Sequence, residues 1–288
     1  MASSLSNLLL LIAAGSIAGL EPGQSKLRGD SKKPATESAK TIDEFKADAA
    51  GYVIKLQGRQ DKLTLRDEPL LHWGNPARTG EDGAVFVWML DGRPEVIGSV
   101  FTYRLPNAIR RKHEYHSLAA GPLTAEYRGA RVWSPKTAGV TFRPIPDAPA
   151  PAETPRLRLT QMKNMARDFS ARMVDLEGQQ SDLRLIPQPL IRYEPKDKSI
   201  LDGALFSFSI GTDPEVILLI EAREAGDRLA WHYAFARFHY VNLTVNYKDS
   251  EVWHAKALPD MTTLDIGTPK YQDSVYATYH VQTTPIVE

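Results

Sequence analysis

Seven histidines, at positions 72, 113, 116, 232, 239, 254 and 280, are the side chains of this sequence best suited to acid–base or metal chemistry near neutral pH. They are densest in His113-Glu114-Tyr115-His116-Ser117. Alternate residues of a strand share a face, so His113 and His116 point to opposite sides, a poor arrangement for one metal ion. The spacing also lacks the i, i+4 helical geometry of a zinc protease site. Ser117 beside His116 makes no nucleophilic triad, because strand neighbours face apart and no orienting acid is identifiable. If the chain is a hydrolase- or isomerase-like enzyme, the residues to carry the reaction are His72, Glu114 and His116. No dinucleotide fingerprint, phosphate loop or nucleophile elbow occurs. The absence of cysteine excludes disulfides, zinc–thiolate and iron–sulfur centres and thiol catalysis. No metal site and no cofactor is expected.

The aromatic residues offer a second kind of chemistry. Five Trp and eleven Tyr are enough to line a pocket, and Trp73, Trp88 and Trp231 are the candidate binding residues. The competing reading is that Trp88 and Trp133 simply fill a core.

The elements that would position these residues come in two sets. Leu56-Gln57-Gly58 matches Leu176-Glu177-Gly178, Asp82-Gly83-Ala84 matches Asp202-Gly203-Ala204, and Leu123-Thr124 matches Leu243-Thr244, all 120 positions apart. That register holds without a gap from Leu56 to Trp133, with about a quarter of the paired positions identical. Residues that build the fold should recur at both positions, whereas a single active site need occur once. Glu95 and Glu215 recur after Pro at a strand start, while no histidine has a histidine partner; His72 stands opposite Arg192 and His116 opposite Ala236.

In each copy, apolar residues at steps of three and four predict a helix, over Ile42, Phe45, Ala49, Tyr52, Val53 and Leu56 in the first and over Met162, Met165, Phe169 and Met173 in the second. Strands follow, with Asp91-Gly92 as a hairpin signal and Arg110-Arg111-Lys112 as a basic loop. The expected fold class is α+β: two tandem repeats, each one N-terminal helix packed on an antiparallel meander of four to five strands, in the outline of cystatin-like or NTF2-like domains.

The expected division is a signal peptide over 1–18, a disordered lead over 19–39, a first repeat over 40–147, a proline-rich linker over 148–156, a second repeat over 157–260 and a tail over 261–288. The apolar run Leu8–Ala18 and the small-x-small Ser16-Ile17-Ala18 fit export with cleavage after Ala18; an uncleaved anchor is the alternative. The stretch Phe142–Pro155 reads equally as a semi-rigid spacer or as a loop packed on the repeats. With 35 basic and 35 acidic side chains the formal charge is zero, which argues against nucleic-acid binding through bulk charge.

His113–Leu118, Arg131–Pro155, Leu157–Ala171, Leu183–Glu194 and Asp202–Glu224 resemble a family of uncharacterised exported proteins recurrent in planctomycete bacteria. The resemblance covers most of the chain after Ala39. It implies a periplasmic or extracellular setting and carries no activity, cofactor or catalytic residue. The expectation is an exported, non-enzymatic binding protein of the cell envelope. It would take a small molecule or an envelope protein, hold no membrane span after signal cleavage, and pack its two repeats as an internal pseudo-dimer.

Overall fold

The computed structural model describes residues 35–75 and 81–286. The signal peptide and most of the lead lie outside them, although the first helix begins at Ala35, inside the segment read as lead. The first half comprises α1 (Ala35–Ala50), β1 (Tyr52–Leu56), β2 (Thr64–Leu65), β3 (Leu71–Asn75), β4 (Glu81–Leu90), β5 (Arg93–Leu105), β6 (Ala108–Ser117), β7 (Leu123–Tyr127) and β8 (Ala130–Trp133). A short β9 (Arg143–Pro144) leads to α2 (Pro155–Ala166), β10 (Phe169–Val174), β11 (Gln180–Leu185), β12 (Ile191–Tyr193), β13 (Ile200–Ile210), β14 (Asp213–Ala225), β15 (Arg228–Arg237), β16 (Asn242–Tyr247) and β17 (Ser250–Ala255). A 3₁₀ turn at Pro259–Thr262 precedes the last strand, β18 (Tyr276–Pro285).

The expected helix-on-meander class is wrong. The described chain is 53% strand and 11% helix, and its sheets curl into half-barrels. The strand order of the second half is β17-β16-β10-β11-β13-β14-β15-β9, with β12 also on β13. The strand after the helix therefore sits between β11 and the closing hairpin, which no meander allows. The first half splits into β1-β7-β8 and β18-β6-β5-β4-β2, with β3 on β4. The predicted helices were also too long. Helix α1 stops at Ala50, and Tyr52–Leu56 is a strand whose side chains alternate buried and exposed. Steps of four are also two steps of two, so Phe169 and Met173 fit a helical stripe yet lie on one face of β10. The β-branched Val53 and Ile54 favour the strand. The Arg110-Arg111-Lys112 segment is likewise strand, within β6. Asp91-Gly92 does form the β4–β5 turn, both residues having φ near the left-handed region at 48° and 82°.

Three apolar clusters hold the molecule together. One fills the first half-barrel around Phe45, Trp88, Tyr115 and Trp133. Another fills the second around Met162, Phe169, Phe206 and Trp231. The third lies between the halves, where Trp73, Val85 and Ile97 meet Tyr193, Leu205, Ile217 and Leu219. Strands β4, β5, β13 and β14 are buried on both faces as a result, which explains their nearly continuous apolar runs. Glycine is required where the rings of Trp73 and Tyr193 lie on the sheet, because a Cβ on Gly83 or Gly203 would stand 2.5 Å from them.

The proline-rich bridge is packed rather than free. Ile145 is buried in the second core, and the Tyr247 hydroxyl donates to the Pro146 carbonyl at 3.2 Å. Among the described residues, no helix is long and apolar enough to cross a membrane.

Candidate functional site

A cavity of about 250 Å³ opens at one end of the junction between the halves. Strands β5 and β6 are long enough to run past the shared core, so their outward residues line it: Phe101 and Tyr103 from β5, Lys112 and Glu114 from β6. Trp73 of β3 closes one wall, its ring 5.6 Å from that of Phe101 and its indole N–H donating to Ser99 Oγ at 3.1 Å. The second half contributes Asp213, at the start of β14, and Phe238 and Tyr240 beyond the end of β15.

Glu114 is a perturbed acid of this wall. Burial pushes its pKa up to about 8, and nearby Asp213 adds to the shift; the Tyr276 hydroxyl bond, Lys112 and Arg237 oppose it. The burial thus favours its protonated form, which is able to donate a hydrogen bond. Asn75 Nδ2 donates to Asp213 at 3.4 Å. Lys112 Nζ sits 5.2 Å from the Tyr240 ring centroid and donates to the Met261 carbonyl at 3.4 Å. The cavity thus offers a neutral donor, a carboxylate, a fixed cation and aromatic faces.

The opposite end of the junction is closed. Glu221, fully buried, accepts from Arg93 Nε at 3.0 Å and from the Tyr193 hydroxyl at 2.8 Å, and Arg223 also donates to it. Arg93 Nη1 bonds Glu95 at 3.1 Å, which gives the recurrent Glu95 an ion-pair role. Phe142 lies under both guanidinium groups, 5.8 Å from that of Arg93 and 4.3 Å from that of Arg223. Four of these residues stand 120 positions from a cavity residue: Arg93 from Asp213, Tyr193 from Trp73, Glu221 from Phe101, Arg223 from Tyr103. Where one end has a complete ion-pair network, the other has rings around open space.

Of the candidate catalytic residues, the structure brings only Glu114 to this cavity. His72 is exposed and its Nε2–H donates to Asp82 at 2.9 Å. Arg192, 120 positions on, bonds Asp202 in the same way at 2.9 Å, and His72 does not line this cavity. His116 faces a second cavity; its Nδ1–H donates to the Ser117 carbonyl at 2.8 Å, and burial holds its pKa down to about 4, with Arg237 adding to the shift. His113 points the other way, into the first core, 2.8 Å from the Tyr52 hydroxyl and 3.4 Å from Asp48. Among the described residues, no three His, Asp or Glu side chains group as metal ligands.

Of the candidate binding residues, Trp73 lines the cavity, whereas Trp88 and Trp231 fill the two half-barrel cores. Sequence reasoning missed Phe101, Tyr103, Lys112, Asp213 and Tyr240. The available signal was a change of charge at matched positions, Arg93 against Asp213 and Phe101 against Glu221, which similarity scoring discards. No family model matches the chain, and neither a curated protein nor a solved structure does.

Proposed function

We propose that this is an exported, non-enzymatic binding protein of the cell envelope, built from two tandem copies packed as an internal pseudo-dimer, that seats a small molecule in the cavity at their junction. The observation that carries the reading is the aromatic wall of Trp73, Phe101 and Tyr103 facing Asp213 and Tyr240 across about 250 Å³. Such a space suits one small ring held by its faces and oriented by a few polar groups. The 120-residue register supports the duplication, and matched positions at the two junction ends carry different side chains, as expected if one end has become a site. The export setting rests on the apolar start and on the resemblance to exported planctomycete proteins.

The test is a thermal-shift screen of the purified chain against sugars, nucleotides, lipids and metals. A ligand at 100 times its Kd adds about 2.7 kcal/mol to the folded state. Any hit should lose its effect in Trp73→Ala, a substitution whose own melting point is recorded as the baseline. Hits that persist undiminished in that variant place the ligand elsewhere and sink the reading. A flat panel favours an envelope protein as partner.

A second reading is an acid–base enzyme. Glu114 favours it, being a carboxyl group held protonated beside Asp213, the division of roles that an acid and a base require. Turnover of a bound ligand that is lost in Glu114→Gln with binding retained would establish it.

A further inference from the structure

The two half-barrels are closed differently. In the first, β18 pairs along the length of β6, from Tyr276 opposite His116 to Pro285 opposite Ala108. In the second, the corresponding strand β15 carries only β9, through His232 opposite Pro144 and Tyr233 opposite Arg143. Beyond that pairing, β15 and β17 frame a gap, and the gap is a cavity of about 500 Å³. Its walls are aromatic: Tyr233 and Phe235 of β15, Trp253 of β17 and Tyr276 of β18, with the Phe235 and Trp253 rings 5.6 Å apart.

The charge of this cavity has one sign. Arg143, Arg237 and Lys256 line it, and no Asp or Glu does among the described residues. Arg237 is held rigidly by three backbone carbonyls, of His239 and Lys256 at 2.8 Å and of Val241 at 2.9 Å. Arg143 likewise donates to the Val252 carbonyl at 3.1 Å. Carbonyls orient these cations without neutralising them. Lys256 is exposed at the rim. Two exposed cations at the rim and the buried Arg237 behind them give the cavity a positive potential that favours an anion, and the aromatic walls give the rest of the ligand an apolar seat.

We infer that the open mouth of the second half-barrel is a binding site for a carboxylate or phosphate carried on a flat apolar body, with Arg143 and Lys256 meeting the anion and Trp253 and Phe235 meeting the ring. This site is separate from the junctional cavity and does not depend on it.

Isothermal titration of the full chain with 2-naphthoate, 2-naphthyl phosphate and neutral 2-naphthamide tests the inference. Both anions, or one of them, should bind at least about tenfold tighter than the amide, and the two anion arms decide between a carboxylate and a phosphate. The double variant R143A/K256A should weaken anion binding by about tenfold and leave the amide unchanged. Both side chains are exposed, so its melting point should match the parent. Trp73→Phe, which alters only the other cavity, should bind the anions as the parent does. Equal affinity for amide and anions, or undiminished anion binding in R143A/K256A, would overturn the inference. Loss of binding in Trp73→Phe would move the anion to the junction and overturn it equally.

Discussion

Glu114 illustrates how a single side chain reports its surroundings. Its folded pKa of about 8 stands above the ordinary glutamate value of 4.5, so the folded state binds the extra proton between those values. The stability this contributes is present below pH 4.5 and is lost as pH rises through 8, by at most about 1.4 kcal/mol per pH unit. Glu114→Gln, which stays neutral, should therefore gain on the parent as pH rises from 5 to 9, as read from urea midpoints. Equal pH slopes for the two proteins would contradict the assigned protonation state. His116 and His280 act with the opposite sign. Burial holds both near 4, so their contribution is present above 6.5 and fades as pH falls toward 4. Glu114→Gln, freed of the opposing carboxyl, should lose stability more steeply than the parent between pH 6.5 and 4.5.

At the scale of elements, strands β4 and β13 need glycine at the places where rings lie against the backbone. Gly83→Ala and Gly203→Ala put a methyl 2.5 Å from Trp73 and Tyr193 and should each cost about 1–3 kcal/mol by overpacking. Gly121→Ala, with nothing within 4 Å, is the control and should be close to neutral. Denaturant unfolding of the three variants checks this. These glycines were visible in the sequence as recurrent Asp-Gly pairs, but their reason was not. The recurrent aspartates bond basic side chains of a neighbouring strand, Asp82 to His72 and Asp202 to Arg192, and Asp202 also takes Arg158 from α2. The Asp91-Gly92 hairpin and the split faces of His113 and His116 were legible because pattern and backbone geometry are local. The end of α1 was not, since Tyr52 and Leu56 satisfy both periods, and pairing of β1 with β7 decides between them.

At the scale of the molecule, the junction is held by apolar packing and locked at one end by the Arg93–Glu221 network. Arg93→Ala leaves Glu221 buried with one cation fewer and should destabilise the chain by about 3–5 kcal/mol. In a Glu221→Ala background the same substitution should cost less, because the two form one network. A double-mutant cycle in urea that returns simple additivity would show the pair to be energetically idle. The same comparison bears on the candidate site, whose open end differs from the locked end at four matched positions.

Local spacing and composition made the 120-residue spacing of matched segments, the Asp91-Gly92 turn and the lack of cysteine legible, since each follows from the order of the residues or from counts. Which residues share a cavity was set by how the half-barrels curl and abut. Trp73 and Asp213 come from strands far apart in the chain and line one cavity only because the halves abut, whereas Trp88, no different in type from Trp73, packs inside the first half-barrel. Burial, and with it the protonation of Glu114 and His116, is a property of the assembled sheets and has no counterpart in the order of the residues.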